Sequence, residues 1–273
     1  MPNNCQLWIE QFKADYLARG SSIDTWNGDY WKILKRLPPE EPLTTECLHS
    51  IVLGTRVNSR TRKRACLAVG AIARFAGVDY DPSPYQGHYS PNDVDPRSIP
   101  DDTTICQWFH QLHNPCWRWV YGTIATFGLR PHEVFRLDFE ALKRGESILH
   151  VLKQTKTGKR SVWAFHPEWF IEFGLFDVQL PPIDLGRSNV KVGASASRYF
   201  GDIGLPHHLY DLRHRWAIRT LEYGLDYKIA AKMMGHSYSV HERIYHRWID
   251  AGVMQRAYDQ SINRSDRPRP PKA

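Results

Sequence analysis

At 273 residues the chain is long enough for two domains with separate cores, and its 42% hydrophobic content fits a globular protein. No run of roughly 18 apolar residues could span a membrane, and the amino-terminal stretch lacks the basic-then-apolar layout of a signal peptide. A formal charge of +7 favours a polyanionic partner, while five scattered cysteines (Cys5, Cys47, Cys66, Cys106, Cys116) without a CxxC argue for reduced thiols in a cytoplasm and against a disulfide scaffold or zinc site.

Residues 3–78 read as four helices divided by turn signals. Leu7, Trp8, Phe12, Tyr16 and Leu17 recur at helical spacing as far as Gly20. Trp26, Tyr30, Ile33, Leu34 and Leu37 form a second stripe, ended by Pro38-Pro39. Thr44-Thr45-Glu46 opens a third helix that runs to Gly54, and a fourth is expected from Ser59 to Gly77. Arg60, Arg62, Lys63 and Arg64 open that fourth helix; on their own they suit an ordinary solvated face, and equally a stripe that contacts DNA phosphates in or beside a major groove.

Residues 81–102 hold five prolines and little apolar periodicity, which predicts a linker. A second domain is expected from about Thr103, with Trp108, Phe109, Leu112, Trp117, Val120 and Ile124 as a helical core. Ile148 to Leu152 and Ser161 to Phe165 alternate like strands around the turn Lys156-Thr157-Gly158-Lys159. Helices return from about residue 191, one of them spanning Pro206 to Tyr223. The expected fold is mostly α with a small antiparallel sheet: a helical domain over 1–80, a linker over 81–102, a mixed α/β domain over 103–262 and a disordered tail over 263–273.

The chemistry lies in residues far apart in sequence. Arg130 follows Gly128, a helix stop, and precedes Pro131, which suits the start of a next helix; Glu133 would share a face of that helix and orient the arginine. Arg213 lies in Tyr210-Asp211-Leu212-Arg213-His214, three residues after Tyr210 and on its face. His236 follows Gly235, and Tyr245 comes nine residues later. Arginine's planar fork matches phosphate oxygens, and a tyrosine oxygen can form a phosphodiester to a DNA end. Positive charge from Arg130 and Arg213 is expected to depress the Tyr245 pKa. Each residue alone has an ordinary reading: surface arginine, helix cap, packed tyrosine. Their order and spacing together carry the inference.

This pattern resembles the tyrosine recombinase (phage integrase) family over most of the chain. The resemblance implies two domains forming a clamp on duplex DNA, with 1–80 as the core-DNA-binding domain and 103–262 as the catalytic one. It implies that Arg130 and Arg213 bind the scissile phosphate, that His236 adds a hydrogen bond, and that Tyr245 forms a covalent 3′-phosphotyrosine. Lys156, with Lys153 and Lys159 as alternatives, would protonate the leaving 5′-oxygen. Tyr210 stands where the family carries histidine and would take its place, although a phenol is a poor base near neutrality. Tyr238 is the rival nucleophile within the chain, and His207, His208 and His214 are possible substitutes for the missing histidine. The resemblance further implies no metal or nucleotide cofactor, a homo-tetramer on paired DNA sites in the cytoplasm (at the nucleoid), and possible accessory DNA-bending or directionality proteins; from the sequence, no arm-binding domain is expected before residue 3.

Other readings fit less well. His241 and His246 are five apart, about 140° around a helix, so they cannot share a zinc ion as a metalloprotease pair does. A type IB topoisomerase shares the chemistry but relaxes DNA without exchange between sites. A catalytically weakened DNA-binding regulator would explain Tyr210, against which stands the joint presence of Arg130, Arg213, His236 and Tyr245. An RNA-binding module lacks a visible stacking platform.

Overall fold

The structure, a computed structural model, describes residues 4–90, 99–152 and 158–269. The chain divides into two compact units, Met1–Pro96 and Arg97–Ala273.

In the first unit, helix α1 (Cys5–Ala18) starts at Asn4, whose side chain accepts from the Leu7 amide. Ser22 caps a second helical stretch, which tightens and widens in turn: Ile23–Thr25, a π-helical segment Trp26–Trp31, then Lys32–Leu34. Helix α2 (Thr45–Leu53) is capped by Thr44, and α3 (Arg60–Ala76) by Ser59, with Gly77 closing α3. One stripe of α3, including Ala65, Ala68, Val69, Ile72 and Ala73, is buried against Ile9, Phe12, Leu34, Leu48 and Val52. Its small residues let the backbones approach, and each large aliphatic so buried contributes about 1.5–3 kcal/mol. Beside them Phe12, Tyr16, Trp26 and Tyr30 pack ring to ring, Trp26 and Tyr30 stacked at 5.6 Å.

The linker expected from residue 81 does not begin there. Pro82 is buried, Ser83–Tyr85 forms a 3-10 turn, and the Tyr85 ring lies 4.6 Å from that of His49. Apolar packing holds this proline-rich stretch on the first unit despite its lack of periodicity.

The second unit is built around two long helices, α4 (Asp102–Gln111) and α5 (Pro115–Phe127). Asn114 caps α5, Pro115 occupies its first position, and every residue from Trp119 to Phe127 is buried. A short helix Phe139–Lys143 leads into strands β1 (Ile148–Val151) and β2 (Arg160–Trp163), antiparallel with Val151 opposite Arg160 and Ile148 opposite Trp163. Then follow α6 (Asn189–Asp202), α7 (Asp211–Glu222), α8 (Tyr227–Met234), α9 (Tyr238–Tyr245) and α10 (Ala251–Ile262). Among the described residues, the mostly helical architecture with one two-stranded antiparallel sheet is that expected from the sequence.

Helix α7 packs along α5 with Trp216 fully buried between them. Its far end is fixed by Asp102, which accepts from Arg215, Arg219 and His166 at 2.8–2.9 Å. Burial opposes charge on Asp102, but the hydrogen bonds and charges of those partners hold its carboxyl well below the usual range. Helix α7 starts at Asp211, later than the expected Pro206, because a turn intervenes: the His208 amide donates to the Asp211 carboxylate, and the Asp211 amide to the His208 carbonyl.

Candidate active site

Three segments of the second unit converge on one buried carboxylate, and a fourth is held to them. Helix α5 ends at Gly128 in the left-handed conformation (φ 62°), and the chain turns at once through Arg130. Pro131 does not open a regular helix as expected. The Glu133 amide donates to the Arg130 carbonyl, and the Glu133 carboxylate accepts from the Arg130 amide, closing a tight turn that continues as the 3-10 segment Glu133–Phe135. The side chain of Glu133 has no solvent exposure and meets three guanidinium groups: Arg130 at 2.7 Å, Arg160 at 2.6 Å and Arg213 at 3.8 Å. Burial alone would raise its pKa; the hydrogen bonds from Arg160 and the charges of all three arginines bring it down to about 2.

The same three arginines grip the end of α8. Gly235, left-handed at φ 65°, turns the chain so that the last carbonyls stay open. Arg160 Nε donates to the Met233 carbonyl at 2.7 Å, Arg213 Nη2 to Met234 at 2.6 Å, and Arg130 Nη2 to Gly235 at 2.9 Å. Arg213 also donates to the Gly128 carbonyl at 2.7 Å, which joins the ends of α5 and α8 through one side chain. Three cations thus face one carboxylate and the negative end of a helix worth about half a charge, which leaves the cluster net positive.

His236, directly after Gly235, is held by His241, Nε2 to Nδ1 at 3.1 Å. Burial, then the neighbouring Arg213, His241, Arg130 and Arg160, push its pKa down to about 3, and burial followed by Arg213 brings His241 to about 4. Both imidazoles are therefore neutral near pH 7. Tyr245, the last residue of α9, is 2% exposed. Its ring lies 4.7 Å from that of His241 and 6.4 Å from that of His236, and its hydroxyl is 2.9 Å from His214 Nδ1. The expected depression of the Tyr245 pKa is corrected here: burial raises it, and the opposing pull of Arg213 and Arg130 does not compensate.

Of the other predicted residues, Tyr210 sits at the N-terminal boundary of α7, 37% exposed, with its ring against His214 and near enough to Arg213 and Tyr245 to act on the charge of both. Lys156 and Lys153 fall outside the described residues. Lys159 lines a cleft of about 720 Å³ between β2 and α8, together with Lys232, Trp163 and His236. Tyr238 is 54% exposed. Arg160 was not anticipated from the sequence. It lies two residues before the buried Val162 on the same face of β2, and an arginine on the inward face of a strand calls for a buried carboxylate partner.

In the first unit, Arg60, Lys63 and Arg64 line a pocket of about 410 Å³ with Tyr16 and Tyr30. Arg64 pairs there with Asp29 at 2.6 Å. Arg62 does not belong to this stripe: only 5% exposed, it donates to the hydroxyl and carbonyl of Thr55 and to the carbonyls of Leu53 and Tyr85. Those acceptors, at the end of α2 and in the turn Ser83–Tyr85, draw it inward as an internal brace.

The order and packing of these elements are the fold of the tyrosine recombinases. The structure is similar to that of lambda integrase, solved as a tetramer bound to a Holliday junction, with a TM-score of 0.61 and 17% identity over 86% of this chain and 78% of that one. In sequence, residues 6–86 match the XisA/XisC excisase second domain. The chain is 39% identical to Excisase C of Nostoc sp. (strain PCC 7120) over 93% of its own length, and 27% identical to Excisase A of the same organism over 96%. It spans 57% and 65% of the lengths of these two relatives.

Proposed function

We propose that this chain is a site-specific recombinase that cuts and rejoins duplex DNA through a 3′-phosphotyrosine at Tyr245, in the excision or integration of a mobile element. The observation that carries the reading is the meeting of Arg130, Arg213, His236 and Tyr245, from four separate segments, at one net-positive site. Arg130 and Arg213 bind the non-bridging oxygens of the scissile phosphate, where preorganised donors act on charge as it develops. Their positions are fixed beforehand by Glu133 and by the carbonyls of α8. His236, neutral, donates a further hydrogen bond.

The Tyr245 oxygen attacks phosphorus and the 5′-oxygen leaves, protonated by a lysine of the β1–β2 connection, Lys156 by resemblance or Lys159 beside the cleft. The phosphodiester energy is kept in the protein–DNA bond, so a 5′-hydroxyl from a partner duplex can reverse the step without ATP. Arg60, Lys63 and Arg64 hold the DNA backbone from the first unit. Two copies on each DNA and four in the synapse are the assembly this chemistry calls for, with accessory DNA-bending or directionality proteins choosing between excision and integration.

The test is covalent trapping. Nicked duplexes randomised around the nick are incubated with the protein in excess EDTA, and protein-linked DNA is recovered under denaturing conditions. Adducts are expected with the wild type and absent from Tyr245→Phe. Adducts that survive in that variant, mapping to Tyr238 or elsewhere, would overturn the assignment. Relaxation of supercoiled DNA with no exchange between sites would favour a topoisomerase.

A further inference from the structure

We infer that His214 is the catalytic base of this site, taking the Tyr245 hydroxyl proton as the tyrosine attacks. The inference rests on the recombinase reading above.

Tyr245 is almost wholly enclosed, so its proton must pass to a neighbouring group rather than to bulk water. The hydroxyl lies 2.9 Å from His214 Nδ1, a hydrogen bond in which the phenol donates when the imidazole carries its own proton on Nε2. The other groups around the ring are poorly suited. Arg130 and Arg213 are permanent cations. His236 Nε2 and His241 Nδ1 are engaged with each other at 3.1 Å, and burial holds both imidazoles at pKa values of about 3 and about 4, too low to take a proton readily. Tyr210, where the family carries histidine, is another phenol; its ring lies 5.1 Å from that of His214, which in turn lies 5.7 Å from that of Tyr245.

Helix geometry explains how one turn of α7 serves both purposes. Arg213 and His214 are consecutive and so point about 100° apart. Arg213 is thereby directed inward to the carbonyls of Gly128 and Met234, and His214 sideways to Tyr245. His214 is only partly buried, which leaves the imidazole room to hold a charge. The base function has thus moved one turn along the helix, from position 210 to position 214.

In the step, the Tyr245 O–H bond breaks and its proton goes to His214 Nδ1, while the phenolic oxygen bonds to phosphorus. The bond from phosphorus to the 5′-oxygen breaks, and that oxygen takes a proton from the lysine acid. On rejoining, the His214 imidazolium returns its proton to the departing tyrosine oxygen.

The experiment measures single-turnover adduct formation by the full chain on nicked duplexes recovered from the randomised pool. Each duplex is also made with sulfur in place of the bridging 5′-oxygen, a leaving group that needs no acid. His214→Ala is expected to form adducts at least ~100-fold more slowly with DNA binding retained, and free imidazole should restore at least ~10-fold of that loss. The sulfur substrate should not restore it. His214→Asn keeps a hydrogen-bond acceptor near Nδ1 but cannot take the proton, and it should be as slow as His214→Ala; it also carries the test if the alanine variant does not fold. Adduct formation within about threefold of wild type in either variant, or recovery on the sulfur substrate, would overturn the role of His214 while leaving Tyr245 as nucleophile. A wild type that forms no adduct, or adducts that persist in Tyr245→Phe, would overturn the recombinase reading itself.

Discussion

Glu133 and Arg160 form a bidentate pair across 27 residues of sequence, with Nη1 to Oε1 at 2.9 Å and Nη2 to Oε2 at 2.6 Å. The fork-to-fork geometry fixes the first residue of β2 against the turn that carries Arg130, so the sheet and the arginine cluster share one anchor.

Removing the charge from that anchor should be costly. Glu133→Gln leaves Arg130, Arg160 and Arg213 facing one another without a counter-charge, in a place where Glu133 has no solvent exposure. Breaking a buried pair by removing one partner costs about 3–5 kcal/mol, and urea unfolding of the variant should show a loss of that size. A loss below ~1 kcal/mol would mean that another group neutralises the arginines.

Gly128→Ala should fail for steric reasons. The residue is left-handed at φ +62°, and a Cβ there would lie 2.6 Å from ring atoms of Trp216, which is itself fully buried. Backbone strain of about 1–2 kcal/mol adds to about 1–3 kcal/mol of overpacking. The thermal midpoint should drop sharply, and an unchanged midpoint would show that α5 and α7 can separate freely at this end.

The two arginines of the clamp should respond differently to lysine. Arg130 keeps 17% of its side chain exposed, so Arg130→Lys should fold well yet form adducts at least tenfold more slowly, since the two-pronged geometry is lost. Arg213 is 1% exposed and donates to two carbonyls from different helices, which one ammonium cannot span. Arg213→Lys should therefore also lose stability, by about 1–3 kcal/mol for an orphaned carbonyl. Equal stability of the two variants, measured by urea titration, would contradict this division.

Stability should fall on mild acidification. His236 and His241 have pKa values near 3 and 4 in the folded chain against an ordinary 6.5, because burial disfavours their charged forms. The unfolded chain binds more protons below pH 6.5, so their contribution is complete above that value and is lost as pH falls toward 4 and then 3. Glu133, with a pKa of about 2 against 4.5, acts only in a lower window. Urea midpoints at about pH 7 and about pH 5 separate the two groups, and His241→Gln should flatten the upper window. A midpoint that stays level between those values would refute the burial argument.

Where local chemistry decides, the sequence was legible. Gly128, Ser59 and Gly77, Thr44 and Gly54 mark helix ends because caps and left-handed turns depend on the residue at the spot. The alternation around Val162 predicted β2 for the same reason. What escaped was set by partners distant in the chain. Arg62 reads as one basic residue among four, and it is turned inward by the Thr55 hydroxyl and the carbonyls of Leu53, Thr55 and Tyr85. Arg160 acquires its role from Glu133 and from the end of α8. The Tyr245 pKa was expected to fall because charge is visible in a sequence, whereas the burial that outweighs it is not.

The end of α8 acts as a comb whose teeth are backbone atoms. Met233, Met234 and Gly235 each offer a carbonyl to a different arginine, so what matters there is count rather than side-chain identity. Each residue advances a helix by about 100° and 1.5 Å, so a single insertion or deletion just before Gly235 would hand every arginine the wrong tooth. Met233, whose carbonyl rather than thioether is used, can in contrast exchange for another apolar residue at little cost. The spacing between the close of α8 and His236 is therefore a mechanical register, and a frame error of one residue there would disarm the site while leaving all its named side chains in place.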